Sequence, residues 1–110
     1  MAFNDELATR IRKRLGKRPG LTEKRMFGGL AFLLHGNMCC GVHGQEMIIR
    51  LDPEDTNRAL KQPHTRVFDL SGGRPMKGWI LVQPPGLPRS DGLAKWVTTS
   101  LKYAASLPPK

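Results

Sequence analysis

Apolar residues recur along this chain with two different periods, and the change from one to the other lays out the fold. Leu7, Ala8, Ile11 and Leu15 lie three or four residues apart, the spacing of one helix face. Asn4 or Asp5 can cap that helix, Asp5 and Glu6 sit at its positive end, and Gly16 stops it. A turn follows over 17–20. From Met26 the period shortens. The apolar run 30–34 predicts a buried strand, with a second at 38–42 and a third at 46–51. The joins, His35-Gly36-Asn37 and His43-Gly44-Gln45, are too short for a parallel crossover, so these strands form an antiparallel meander. Asp52 before Pro53 predicts a short helix over 54–61. Residues 66–70 alternate as a half-buried fourth strand, 71–75 form a loop, 77–82 a fifth strand, and the proline-rich 83–88 is irregular. A last helix starts near Ser90 or Asp91, with Leu93, Trp96, Val97, Leu101 and Ala104 on one face. The predicted class is α+β: a single antiparallel-rich sheet with helices, in the order α-β-β-β-α-β-β-α, within one domain spanning 1–110.

Composition narrows the classes open to such a chain. With 39% hydrophobic and 25% charged residues it has the make-up of a globular domain. Only 6% of residues are aromatic, so most of these rings are needed for the core. No run approaches the ~20 apolar residues of a membrane span, and the start lacks the basic-then-apolar pattern of a secretory leader. The expected location is the cytoplasm. Cys39 and Cys40 are adjacent, and neighbours on a regular strand point to opposite faces. They therefore read as small buried hydrophobes in a reducing compartment, unable to form an ordinary disulfide or share a metal.

Charge is the strongest functional signal. The formal net charge is +9, and residues 1–25 hold eight cations against three acids. Arg10, Lys13, Arg14 and Lys17 recur at helical spacing, with Arg18 beside them, and these five are the candidate anion or nucleic-acid contacts. Cations in a last helical turn also complement the helix dipole, and a charged run is commonly a solvated face. No aromatic residue interleaves with them, which argues against stacking on single strands.

Reactive constellations are missing. The glycine-rich segment 71–78 leads into a strand instead of a helix, and its spacing fits no phosphate-binding fingerprint. His35 and His43 flank one strand at opposite ends, too far apart to share a metal, and His64 follows Pro63 in a loop. The serines sit in no nucleophile motif, Glu54 and Asp55 begin a helix where acids are expected anyway, and Asp69 stands alone. No catalytic residue, metal ligand or cofactor is assigned, and the chain is read as not an enzyme.

The stretch Lys24-Arg25-Met26-Phe27-Gly28-Gly29-Leu30-Ala31-Phe32, followed by Gly36 before Met38, resembles the opening of the N-terminal domain in the TfoX/Sxy competence-regulator family. Met76 ahead of Trp79, the Pro84-Pro85 segment, and the apolar pattern Leu93, Trp96, Val97 and Ala104 extend the likeness over residues 5 to 106. The resemblance implies a helix–three strands–helix–two strands–helix domain with no established catalytic residues. Family members help turn on genes for DNA uptake, alongside a cyclic-AMP receptor protein. Those regulators carry a second, C-terminal helical domain, so the resemblance points to a stand-alone N-terminal member. Within the motif, Arg25, Met26, Phe27, Gly28, Gly29 and Met76 read as mainly structural, with Arg25 either a partner contact or a surface charge.

The combined expectation is a non-enzymatic regulatory or adaptor domain, linked through its family to transcriptional regulation of competence-type genes. A protein is the expected partner, with nucleic acid reachable through the basic patch and no membrane; the oligomeric state is left open. The alternatives are a direct nucleic-acid-binding module using the first helix, and a small enzyme or ligand-binding protein with a site near Gly72–Lys77.

Overall fold

A computed structural model of the chain describes residues 5–26, 29–68, 77–86 and 91–109. Helix α1 spans Asp5–Leu15, and its stripe of Leu7, Ala8, Ile11 and Leu15 is buried as the spacing predicts. Strands β1 (Leu21–Met26), β2 (Gly29–Leu34), β3 (Asn37–His43) and β4 (Glu46–Arg50) follow. After a 3₁₀ turn over Pro53–Asp55 come the short α2 (Thr56–Ala59), β5 (Thr65–Val67), β6 (Trp79–Val82), a second 3₁₀ turn at Pro84–Gly86, and α3 (Asp91–Ser106). Among the described residues the six strands form one sheet in the order β1-β2-β3-β4-β6-β5, and every neighbouring pair is antiparallel.

The expected class and sheet type stand, with one strand added to the expected order. The meander has four strands, because β1 precedes the three that hydrophobicity reveals. Its sequence, Leu-Thr-Glu-Lys-Arg-Met, carries four successive polar residues, and Thr22, Glu23, Lys24 and Arg25 are all exposed. An edge strand with solvent on both sides has no apolar alternation to display. The 54–61 helix is split, with Asp52 accepting from the Glu54 N–H at 2.9 Å to start the 3₁₀ turn and α2 covering only Thr56–Ala59. Strand β5 ends at Val67, short of the expected 66–70; residues 69 and 70 lie outside the described residues.

The two faces of the sheet are filled differently. One face carries Leu30, Phe32, Leu34, Val42, Met47, Ile49, Ile80 and Val82, packed against the stripe of α1 and against Leu93, Trp96, Val97 and Ala104 of α3. The other face gathers Ala31, Met38, Ile48, Phe68 and Leu81, where the Phe68 and Trp79 rings lie 5.5 Å apart and tilted by 40°. The β2–β3 join is a two-residue turn in which His35 (φ 51°) and Gly36 (φ 84°) both adopt positive φ, the requirement of a type I′ hairpin.

Along β2 and β3 the register breaks once. Phe32 faces Cys40 while Leu33 faces Met38, which leaves Cys39 as an extra residue in β3. This is a β-bulge. It corrects the expectation that the adjacent cysteines point to opposite faces: both belong to the helix-covered core.

Loop attachment rests on a few buried polar contacts. The Gly78 N–H donates to Thr56 Oγ1 at 2.7 Å, and the Leu51 N–H donates to the Gly78 carbonyl at 2.9 Å. Together they fix α2 and the entry to β6 against the end of β4. Thr56 is buried, so Thr56→Val is expected to orphan the Gly78 donor and cost about 1–3 kcal/mol in urea unfolding. Thr56→Ser keeps the acceptor and is expected to lose less.

Candidate partner-binding surface

The cations of α1 differ in what holds them. Arg12 lies toward β1, where its Nε and Nη2 donate to Glu23 Oε2 and Oε1 at 2.7 and 2.9 Å. The fork-on-fork geometry latches α1 to the edge strand and raises the Arg12 pKa, chiefly through that hydrogen bond. Arg12 is therefore a structural cation. Glu23→Ala is expected to cost only about 0.2–1 kcal/mol of stability, because both side chains are well exposed. The same change should strengthen retention of the chain on a polyanionic resin, since it releases the Arg12 fork. Equal retention in the two chains would mean that Arg12 faces away from the binding surface.

The five candidate contacts do not behave alike. Arg18 donates from Nε to the Leu15 carbonyl at 2.7 Å and so caps the end of α1. Arg10 is half-buried and engaged within the molecule. Lys13, Arg14 and Lys17 remain exposed, and no carboxylate among the described residues pairs with them. These three share the solvent-facing flank of α1 and the start of the turn that follows. Beside them, between the end of α1 and the first two strands, lies an open cavity of about 300 Å³. Lys13 and Lys17 line it together with the Arg12–Glu23 pair, Leu15, Leu21 and Phe32.

Elsewhere three of the described acids are held by partners within the chain. Glu46 accepts from Arg66 at 2.8 and 2.7 Å across β6, Asp55 pairs with Arg58 at 2.5 Å, and Asp52 caps its own turn. Residues 1–25, with eight cations against three acids, carry five of the nine net positive charges. A larger cavity of about 430 Å³, between α2 and the end of α3, is lined by Asp52, Asp55, Arg58, Lys102 and Tyr103, whose charges largely offset one another.

The family-motif residues are spread along the first hairpin. Arg25 is exposed on β1 and engaged within the molecule, and Met26 ends that strand. Gly29 opens β2, and a Cβ there would run into the carbonyl oxygen of Val42 on β3, so close strand approach requires glycine. Phe27, Gly28 and Met76 lie outside the described residues, as do residues 72–76 of the alternative ligand loop; Lys77 at its end is exposed. The histidines stay apart: His35 in a turn, His43 at the end of β3, and His64 in a left-handed loop position (φ 64°). Among the described residues no three histidines, cysteines or acids gather as a metal site, and no helix is long and apolar enough to cross a membrane.

One arrangement escaped sequence reading. The Arg50 guanidinium lies between two rings, 5.2 Å from the centre of Trp79 and 5.6 Å from that of Tyr103. Its Nη1 also makes a long contact to the Met38 carbonyl at 3.4 Å. This cation–π clasp joins the sheet to the last turn of α3. Nothing in the spacing of Arg50, Trp79 and Tyr103 announces it, because the three meet only once β4 and β6 pair.

No curated protein and no solved structure gives a significant match to the chain. The family model of the TfoX N-terminal domain, however, matches residues 13–104, from the last turn of α1 almost to the end of α3. The match spans most of the 110 residues and includes every strand of the sheet, and on that ground the chain belongs to the TfoX N-terminal domain family.

Proposed function

We propose that this chain is a non-enzymatic regulatory adaptor domain that docks an acidic protein surface on the cationic flank of α1. The observation that carries the reading is the availability of Lys13, Arg14 and Lys17 on a helix anchored by four buried residues, while the neighbouring Glu23 is held by Arg12. A helix already ordered by its buried face adds no backbone-ordering cost when a partner arrives, and its cations steer the approach. None of the described aromatic rings is offered for stacking: Phe32 and Phe68 are buried, Trp96 is in the core, and Trp79 and Tyr103 lie against Arg50. Family membership supports a regulatory role of the kind its competence-regulator relatives have, with action in the cytoplasm on transcription of competence-type genes.

A second reading, direct contact with nucleic acid, draws on the same cations and on the net charge of +9. Affinity capture from native lysate, with and without nuclease, tests both. The adaptor reading expects a protein partner that survives nuclease and is lost from a Lys13→Glu/Arg14→Glu/Lys17→Glu chain. Loss of all associates on nuclease treatment transfers the surface to nucleic acid. Capture undiminished by the triple substitution would remove α1 from either role.

A further inference from the structure

The geometry points to Cys39 and Cys40 as an oxidisable vicinal pair that a peroxide converts to an intramolecular disulfide. On a regular strand their side chains would project to opposite faces. The bulge opposite Phe32 turns both toward the helix-covered core instead, and brings the two sulfurs to 3.8 Å. Both thiols are free and fully buried. Cys39 Sγ also lies 3.3 Å from the Phe32 carbonyl, to which it can donate, and the Ser100 hydroxyl of α3 contacts Cys40.

A close pair on one face can do what a lone buried thiol cannot, which is to resolve its own oxidation. The contact with Cys40 draws the Cys39 thiol below its ordinary pKa, whereas that contact and burial push Cys40 well up. In the first step the Cys39 thiolate attacks a peroxide oxygen: an S–O bond forms, the O–O bond breaks, and hydroxide leaves to become water. In the second step Cys40 Sγ attacks the Cys39 sulfur. An S–S bond forms, the S–O bond breaks, and the leaving hydroxide departs as water with the Cys40 proton. Two thiols lose two electrons in total, and the peroxide is reduced to two waters. Ring closure removes the Cys39 donor from Phe32 and pulls Cys40 from Ser100, loosening α3 at its centre. Burial restricts the oxidant to moments when α3 opens, so the reaction is slow at rest and follows local opening.

The test is intact-mass spectrometry of the full chain exposed to hydrogen peroxide in native buffer, with a free-thiol peptide as the oxidation control. The expected result is loss of two hydrogen atoms without dimer formation, reversed by dithiothreitol, and mapped to Cys39–Cys40 after digestion in acid. Amide exchange within α3 should rise in the oxidised chain. Cys39→Ser and Cys40→Ser should each abolish the two-hydrogen loss; should either fail to fold, the acid digest of the unsubstituted chain still decides. An unchanged mass once the control peptide is fully oxidised would overturn the proposal. So would stepwise oxygen addition to one cysteine, or disulfides only between chains.

Discussion

Phe32→Ala is expected to remove about 3–5 kcal/mol of folding stability. Domains of this kind hold only about 5–15 kcal/mol in all, so the variant should be partly unfolded near physiological temperature. The side chain is 1% exposed and sits at the centre of the helix-covered core. It stands opposite Cys40, next to the bulge at Cys39, and beneath the end of α1. Truncation there leaves a cavity that fixed strands on either side cannot collapse to fill, since β2 is hydrogen-bonded to both β1 and β3. Urea unfolding followed by circular dichroism reads the loss as a lower midpoint with little change of slope. Val67 supplies the contrast, being 37% exposed on β5. Val67→Ala should stay within about 0.5 kcal/mol of the unsubstituted chain. A Phe32→Ala loss below about 1 kcal/mol would mean that the core does not close over β2 as described.

Reversing Lys13, Arg14 and Lys17 to glutamate is expected to have the largest effect on binding. Each reversal removes two units of charge, so three take the formal net charge from +9 to +3. An exposed ion pair contributes about 0.2–1 kcal/mol, and reversal replaces attraction with repulsion. Three such sites therefore amount to roughly tenfold weaker binding at the least. The salt slope of binding to random duplex DNA, used as a polyanionic probe, should become shallower by about 3. Some stability is lost too, because cations near a helix C-terminus each contribute about 0.3–1 kcal/mol. Binding is therefore compared only after the variant shows an unchanged helical signal. The paired neutral variant Lys13→Gln/Arg14→Gln/Lys17→Gln should fall between the two.

How far the sequence reveals this molecule depends on whether a residue's role is local. The stripes of α1 and α3 and the runs in β2, β3 and β4 are legible, because one-sided burial imposes a period on apolar residues. Strand β1 is not, since Thr22, Glu23, Lys24 and Arg25 are all exposed and it is the backbone pairing with Gly29–Leu34 that makes the segment a strand. The bulge is hidden for a related reason. Alternation assumes one residue per ladder step, and the extra step at Cys39 is set by how β2 and β3 meet. For the surface, the cation run 10–18 is plain in the sequence, but which members stay available is not. Arg12 is claimed by Glu23 eleven residues on, and Arg18 by the carbonyl of Leu15. Only the folded arrangement separates those two from Lys13, Arg14 and Lys17.

Lysine footprinting of the captured complex probes the proposed surface most directly. The chain, alone and bound to its partner, is exposed to an amine-acylating reagent, and the modified lysines are read by mass spectrometry. Docking on α1 predicts that Lys13 and Lys17 become protected in the complex while Lys61, exposed in the turn after α2, reacts as before. Unchanged reactivity at Lys13 and Lys17, with protection appearing at Lys61 instead, would contradict it.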